Sequence, residues 1–362
     1  MQERGGFGPR VPSPRTRTRP RTRLLPPLRP TMRELVLAGM AAAAIAAALL
    51  SAPRSGVGGA VVPGGGTAAP VEGQRSPAHT ATAVPTATPS AIRPLAIPTA
   101  APLAPTAPPP VRKPGAVDPD PSTNHVAVID GDSGAVLFQR NGSAPVAPAS
   151  LTKIMTAILG IEYGNISEHV RVDIDARSLP DSTVMGLEPW FDITVQDLLY
   201  GLMLPSGNDA ALAIARYVSG SDNAFVTLMN QKAVWLGLRS THFANPHGLD
   251  APDHYSSPQD MVTLARYGMK YQTFRELAAA RRYDIRESNI SYTIENLNPL
   301  LWAYPGADGV KIGYTENAGR AIVATAARGG HRVYVAFMRS QAGLVPDATT
   351  LLDWAFSSFS WP

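Results

Sequence analysis

A serine and a lysine stand three positions apart in the segment SLTK at residues 150–153. If this segment begins a helix, the spacing places the Ser150 hydroxyl and the Lys153 amine on the same helical face. A serine hydroxyl needs an adjacent base, and a lysine can be that base when burial or a nearby cation destabilises its ammonium form. Taken alone, the pair is more often a helix cap followed by an exposed lysine.

Two further polar motifs follow along the chain. Ser206-Gly207-Asn208 lies in a break between two helical stretches, where it indicates either an Asx turn with a helix cap or a hydroxyl and an amide directed into a cleft. Lys311-Ile312-Gly313 opens a β-branched stretch, where the lysine is either an ordinary edge-strand charge or a cation facing the same cleft. Each motif is weak alone, whereas the three in this order make a specific pattern.

The elements that must position these motifs predict an α+β domain, an antiparallel sheet with helices packed on it. The run HVAVIDGDSGAVLFQRNG predicts two strands joined at Gly131–Gly134, and a helix is expected from near Ala149. Further helices are predicted in ITVQDLLYGLML, DAALAIARYV, Phe225–Leu236 and Pro258–Lys270, the last with proline in its first turn. After Trp302 the pattern changes to three alternating strands and a closing amphipathic helix.

The order S-x-x-K, S-x-N, K-x-G resembles the penicillin-recognising serine enzymes. The surrounding residues are similar to the serine D-alanyl-D-alanine carboxypeptidases of peptidase family S11, in the segments APASLTKIMTA, LMLPSGNDAALAIA, NPHGLDAPDHYSSPQDMVTLAR and GADGVKIGYTENAGR. The resemblance covers residues 122–362 and implies a β-lactamase/transpeptidase-like fold. It also implies peptidoglycan stem peptides as substrates, β-lactams as inhibitors, and neither a cofactor nor a metal.

The resemblance implies a catalytic role for three residues. Ser150 would be the acylated nucleophile, Lys153 its base and Ser206 the proton relay. Ser150 would attack the D-Ala–D-Ala carbonyl and release the terminal D-alanine, and water would then hydrolyse the acyl-enzyme. Penicillin would acylate the same serine and leave it slowly.

Four residues are implied in substrate binding. Asn208 would position both the substrate and the catalytic lysine. Lys311 would bind substrate and add the positive charge that keeps that lysine deprotonated. Gly313 and Tyr314 continue the substrate-binding strand, and the amides of Ser150 and Tyr314 would form the oxyanion hole.

One position departs from the family pattern. The family usually has Lys-Thr-Gly, whose hydroxyl helps to hold the terminal carboxylate of the substrate, and here Ile312 has no donor. Losing a hydrogen bond to a charged group costs on the order of 1.5–3 kcal/mol. This departure leaves two alternatives open: a D,D-endopeptidase that cuts peptidoglycan cross-links, and a catalytically weak module that binds the cell wall. Thr315 is a possible substitute donor.

Composition excludes several other classes. The chain has 32 Lys and Arg against 28 Asp and Glu, but residues 1–121 hold 14 and 5 of these, so the positive charge belongs to a tail on a mildly acidic domain. Nucleic-acid-binding folds carry a basic patch on the folded surface, and no nucleic-acid partner is expected. Without cysteine there is no disulfide framework, thiolate zinc site or cysteine nucleophile. His242, His247 and His254 match no common zinc spacing.

Three zones precede the predicted peptidase domain at 122–362. Residues 1–34 form a basic tail with nine arginines, and the uncharged apolar residues 35–53 predict a transmembrane anchor or a signal peptide. The preferred interpretation is a single-pass anchor that places the domain outside the cell membrane, because arginines stay on the cytoplasmic side. Cleavage would make the protein secreted, and Met32 is an alternative start. Sixteen prolines between Pro53 and Pro121 predict a disordered linker at 54–121.

Overall fold

The computed structural model describes residues 103–179, 182–287 and 290–362. The helices are α1 Lys153–Tyr163, α2 Val195–Met203, α3 Asn208–Ser219, α4 Asp222–Leu236, α5 Pro258–Gly268, α6 Gln272–Ala279, α7 Leu300–Ala303 and α8 Leu344–Ser358. The strands are β1 Val111–Arg112, β2 His125–Asp130, β3 Val136–Arg140, β4 His169–Arg171, β5 Asp192–Thr194, β6 Arg282–Glu287, β7 Ile290–Glu295, β8 Ala307–Thr315, β9 Gly319–Arg328, β10 His331–Ser340 and β11 Phe359–Ser360. A 3-10 turn, Ala149–Thr152, leads directly into α1.

Five antiparallel strands form the main sheet in the order β3-β2-β10-β9-β8. The predicted hairpin of β2 and β3 and the three C-terminal strands are confirmed. Gly329 and Gly330 both have positive φ and join β9 to β10, with Arg328 opposite His331, as a two-residue hairpin turn requires. β8 pairs with β9 on one side and ends the sheet on the other, so it offers an unpaired strand edge.

Side-chain caps fix where three of the helices begin. At the starts of α2, α4 and α5 a side-chain hydroxyl accepts a hydrogen bond from a backbone N–H. The accepting hydroxyls belong to Thr194, Ser221 and Ser257, respectively. Pro258 occupies the first turn of α5, as predicted. Helix α1 differs, because it has no side-chain cap and continues from the 3-10 turn. The position of Ser150 therefore depends on tertiary contacts rather than on a local cap.

The sheet separates two apolar clusters. The first contains much of α1 to α5 and part of α6, and the second lies between the opposite face of the sheet and α8. Every residue of α1 from Lys153 to Gly160 is buried, so this helix runs through the middle of the larger cluster. Burying a large apolar side chain contributes about 1.5–3 kcal/mol. The burial of the apolar residues of α1 thus offsets the free-energy cost of burying Lys153 on the same helix.

The segment before β2 corrects the predicted linker boundary. β1 pairs antiparallel with β11, with Val111 opposite Ser360. Leu103 packs against the larger cluster, and the Val117 carbonyl accepts a 2.6 Å hydrogen bond from the Trp354 indole. The linker prediction is therefore wrong for residues 103–121. Their proline-rich composition does not indicate that they pair with residues near the C-terminal end of the sequence. Residues 1–34, 35–53 and 54–102 lie outside the described residues.

Two features between α5 and β8 were not predicted from the sequence. Helix α6 has only eight residues, too few for a clear helical pattern. The hairpin of β6 and β7 is rich in charged residues, which obscure its alternation of apolar and polar positions. Only its inward positions, such as Ile285 and Ile294, reach the larger cluster. Across the described ranges, none of the helices has the length and apolar character needed to cross a membrane.

Candidate active site

Ser150 lies in the 3-10 turn, and Lys153 is the first residue of α1. The Lys153 Nζ is 3.1 Å from the Ser150 Oγ. Ala149 has a left-handed backbone with φ of 49°, which is strained for a residue other than glycine. Gly248 presses on this turn so closely that a Cβ at Gly248 would overlap the Ala149 carbonyl. The turn is thus held in an unusual conformation that places the hydroxyl beside the amine.

Lys153 is completely buried and has two hydrogen-bond acceptors besides the serine. Its Nζ donates to the Asn208 Oδ1 at 2.6 Å and to the His247 carbonyl at 2.7 Å. A neutral amine has two N–H donors and one lone pair. Because these two acceptors take both donors, the lone pair is left for the Ser150 hydroxyl.

The charges around Lys153 favour that neutral form. Burial lowers the pKa of Lys153 well below its usual range, the Lys311 cation lowers this pKa further, and the Asp209 carboxylate raises it. Burial is the largest of the three effects, so the net direction is downward. The site can therefore hold a neutral amine that is able to take a proton from serine.

Ser206 and Asn208 form the corner between α2 and α3. Ser206 has a left-handed backbone with φ of 66°, and its buried Oγ has no hydrogen-bond partner within the described ranges. Thr183 fastens the corner, because its Oγ1 donates to the Ser206 carbonyl at 2.7 Å and its carbonyl accepts from the Asn208 amide at 2.8 Å. The strained, unpartnered hydroxyl is therefore a group poised for a ligand.

Asp209 supports this corner from behind. Its fully buried carboxylate accepts four backbone N–H groups at 2.9 Å, three from Met185, Gly186 and Leu187 and one from Ala210. A buried carboxylate is stable only when hydrogen bonds replace its water, and here backbone amides do so. Asp209 thereby ties a loop to the start of α3, where Asn208 accepts a hydrogen bond from Lys153.

Strand β8 supplies the remaining motif. Lys311 is buried, its Nζ donates to the Ile312 carbonyl at 3.1 Å, and burial lowers the pKa of Lys311 to about 7. A Cβ at Gly313 would lie 3.0 Å from the Ser150 amide nitrogen, so the strand edge touches the turn that carries the serine. The Tyr314 side chain is 68% exposed and points away from this contact.

The environments of Ile312 and Thr315 on β8 show whether either residue offers a hydroxyl in place of the usual threonine. Ile312 packs against the second apolar cluster, on the opposite side of the strand from Gly313. Thr315 lies on the Gly313 face, but its hydroxyl donates to Asp250 at 2.8 Å and accepts from the Ala318 amide. Thr315 is therefore already occupied as a hydrogen-bond donor.

The histidines near the site have protein partners. The His242 Nδ1 lies 2.6 Å from the Asp253 carbonyl, and the His254 Nε2 lies 2.9 Å from the Thr152 Oγ1. In the part of the chain that the structure describes, no three His, Cys, Asp or Glu side chains lie close enough together to hold a metal ion.

A serine on a helical turn, a buried lysine three residues later and a second lysine on the adjoining sheet edge define the penicillin-recognising class of serine enzymes. Comparison with known proteins agrees, because the model of the D-alanyl-D-alanine carboxypeptidase family matches residues 113–342. The chain therefore belongs to this family, peptidase family S11, and the predicted resemblance is confirmed.

Individual relatives give the extent of the similarity. D-alanyl-D-alanine carboxypeptidase DacF of Bacillus subtilis is 38% identical over 240 residues, which cover 64% of this chain and 61% of that protein. DacB2 of Mycobacterium tuberculosis, also named a D-alanyl-D-alanine carboxypeptidase, is 36% identical over 249 residues, 66% of this chain and 84% of the relative. The structure of the Streptomyces K15 DD-transpeptidase superposes with a TM-score of 0.63 at 31% identity, over 67% of this chain and 99% of that one.

The structure brings most of the predicted site residues together. Ser150, Lys153 and Asn208 are joined by hydrogen bonds. Lys311 acts on them through its charge, and Gly313 contacts the serine turn. Ser206 lies at the corner between α2 and α3, and within the described part of the chain its hydroxyl makes no hydrogen bond to these residues. Tyr314 is the next residue of β8 after Gly313.

Sequence reasoning missed the groups that hold these residues in place. The His247 carbonyl, Asp209 and His254 all contact or brace the motif residues. The carbonyl could not have been found, because any residue type provides one. Asp209 had a weak signal in its position directly after the S-x-N motif.

Proposed function

We propose that this protein is a penicillin-sensitive serine D,D-carboxypeptidase that trims the stem peptides of peptidoglycan. The observation that carries the proposal is the buried Lys153 amine, whose N–H donors are satisfied by Asn208 and His247 while its third position meets the Ser150 hydroxyl. Membership of the family and the carboxypeptidase names of the relatives support the same activity.

In the proposed acylation step, the lone pair of Lys153 takes the hydroxyl proton as the Ser150 Oγ bonds to the carbonyl carbon of the D-Ala–D-Ala peptide bond. The amides of Ser150 and Tyr314 stabilise the oxyanion of the tetrahedral intermediate. The carbon–nitrogen bond then breaks, and the D-alanine amine leaves with the proton that Lys153 returns through Ser206. In deacylation a water molecule gives a proton to Lys153 as its oxygen bonds to the ester carbon. The bond between that carbon and the Ser150 Oγ then breaks, and Lys153 returns the proton to the serine oxygen.

Substrate positioning falls to the other side of the cleft. The Lys311 ammonium attracts the terminal carboxylate, and the Asn208 amide binds the peptide as well as the lysine. Ile312 adds no donor, and the Thr315 hydroxyl is engaged by Asp250. We therefore expect Lys311 to hold the terminal carboxylate without a hydroxyl donor from either of these two residues.

The first test is intact-mass analysis after incubation with benzylpenicillin. The wild type should gain one adduct of penicillin mass, Ser150→Ala should gain none, and Ser357→Ala, which changes an exposed serine, should react like the wild type. An unmodified wild-type protein that remains folded would refute the acyl-enzyme mechanism and favour the wall-binding alternative.

The second test is a digest of defined muropeptides. Release of free D-alanine from a pentapeptide identifies the carboxypeptidase activity. Cleavage of cross-linked dimers with no trimming of pentapeptides would instead identify a D,D-endopeptidase. The two substrates separate these activities because only the pentapeptide presents a free D-Ala–D-Ala carboxylate.

We also propose that the domain works outside the cell membrane, tethered through residues 35–53. The support is the uncharged run that follows nine arginines, since such charges are retained on the cytoplasmic side. A protease added to intact spheroplasts should digest the domain, while a tag at the N-terminus stays protected. Release of the intact domain into the medium would point to signal cleavage and secretion.

A further inference from the structure

We propose that His254 is a positioning residue that sets the acceptor for the catalytic lysine by clamping the 243–254 loop onto the turn that carries Ser150. This inference rests on the proposed acyl-enzyme function. His254 touches neither the serine nor the lysine. It acts through the loop that presents the His247 carbonyl to the Lys153 amine.

The His254 imidazole joins two separate segments. Its Nδ1 accepts a hydrogen bond from the Ala244 amide at 2.8 Å, and its Nε2 lies 2.9 Å from the Thr152 Oγ1. Because Nδ1 accepts, the proton of the neutral ring is on Nε2, which therefore donates to the threonine hydroxyl. Only 5% of His254 is exposed, so water does not substitute easily for either bond.

The loop between these bonds meets α1 at several points. The Thr156 Oγ1 donates to the Pro246 carbonyl at 2.6 Å, and Lys153 donates to the next carbonyl, that of His247. Gly248 then presses on Ala149. His254 fixes the base of this loop, because it binds Ala244 where the loop begins and Thr152 in the turn beside it. A shift of the base would carry the His247 carbonyl with it.

Burial keeps the His254 ring in the neutral form that makes both bonds. Burial lowers the pKa of His254, the Asp250 carboxylate raises it and His242 lowers it, and the result is about 4. Protonation of Nδ1 would remove the acceptor for the Ala244 amide. Above about pH 5 the ring is neutral, and both hydrogen bonds of the clamp can form.

Loss of the clamp has a consequence that a general loss of stability would not have. If the His247 carbonyl moves away, Lys153 loses an acceptor and water gains access to its amine. The pKa of Lys153 then rises, because burial is the main cause of its low value. The groups that face this amine are otherwise unchanged: Ser150, Asn208, Lys311 and Asp209.

The test uses two variants that each keep one half of the clamp. Asn in His254→Asn can place its Oδ1 where Nδ1 accepts from Ala244, and Gln in His254→Gln can place its Nε2 where the ring donates to Thr152. Thr152→Val removes the second partner from the other side. Tyr271→Phe is the matched control, because it deletes partly buried side-chain hydrogen bonds, to Glu162 and Tyr267, away from the loop.

The measurements are the acylation rate constant and dissociation constant for benzylpenicillin, the pH dependence of acylation and the melting temperature of each full-length variant. Both His254 variants should acylate at least tenfold more slowly with less than a twofold change in the dissociation constant, and their acid midpoints should move to higher pH. Thr152→Val combined with His254→Asn should be no slower than either single variant. Tyr271→Phe should lower only the melting temperature.

Two results would overturn the inference. If the His254 variants melt earlier but keep the wild-type acylation rate constant and acid midpoint, His254 is a structural residue only and the proposed function stands. If the folded wild type is not acylated at all, the proposed function fails and the positioning role fails with it.

Discussion

The contact between Gly313 and the serine turn gives a sharp test of the site geometry. Gly313→Ala adds one methyl group, whose carbon would lie 3.0 Å from both the Ser150 nitrogen and the Ala149 Cβ and 3.3 Å from the Leu151 nitrogen. Gly313 has no positive φ, so alanine fits the backbone and the effect is purely steric. The strand and the turn must separate.

The required separation follows from the structure. Ordinary contacts of this kind begin near 3.4 Å, so the Ser150 amide and strand β8 must part by about 0.4 Å. The proposed oxyanion hole has one amide on each side of this contact. Removing one oxyanion donor costs about 10²–10³ in rate, and a misplaced pair should approach the lower figure. Overpacking should also reduce the free energy of unfolding by about 1–3 kcal/mol.

The assay is the rate of acylation by benzylpenicillin, followed by intact mass. Gly220→Ala is the control, because a Cβ there meets nothing within 4 Å although φ is +75°, at the end of α3. That change should cost a similar stability, about 1–2 kcal/mol, with the rate intact. If Gly313→Ala acylates at the wild-type rate, the strand edge and the turn do not form the oxyanion hole.

Three further expectations concern charge, specificity and stability. Lys311→Met should move the acid midpoint of acylation to higher pH, since removing that cation raises the pKa of Lys153 and only the neutral amine is a base; an unchanged midpoint would contradict the electrostatic role. Ile312→Thr should lower the free energy of unfolding by about 1–3 kcal/mol and leave kcat/KM for D-alanine release unchanged, because Ile312 faces the second apolar cluster and the new hydroxyl would be buried there; a rise in kcat/KM of about tenfold would show that this position reaches the substrate. Lys232→Met should lower the free energy of unfolding in urea by about 3 kcal/mol and leave the acylation rate unchanged. The reason is that Glu162, whose carboxylate lies 2.7 Å from the Lys232 amine, would stay buried without its cation. A loss below about 1 kcal/mol would mean that this ion pair contributes little to stability.

The catalytic part of the site was predictable because it is encoded locally. The spacing of Ser150 and Lys153 fixes their relation once a helical turn forms, and the motif order carries the family resemblance. The strands after Trp302 were also predictable, since long β-branched alternation survives in most tertiary settings. The sequence was therefore sufficient to predict which motif side chains lie together in the site.

What holds those side chains was not predictable. Asp209 binds amides of residues 185–187 in another segment, and His254 contacts Thr152, which lies 102 positions away in the chain. The effect of Ile312 could be stated only as a missing hydroxyl, because the side of the strand it occupies depends on register. Such contacts depend on the folded arrangement of distant segments, for which residue type alone gives no signal.

The attachment of residues 103–122 has a mechanical consequence. Tension applied to the chain ahead of Leu103 meets a series of separate fastenings: the Leu103 carbonyl with Arg266, Thr106 with Asp132, the β1–β11 pairing, and Ser122 with Asp347. Each is a small group of hydrogen bonds that must break before force reaches β2. Tension on the N-terminal side can therefore be relieved by the loss of these surface contacts, one group at a time, before β2 is pulled from the sheet.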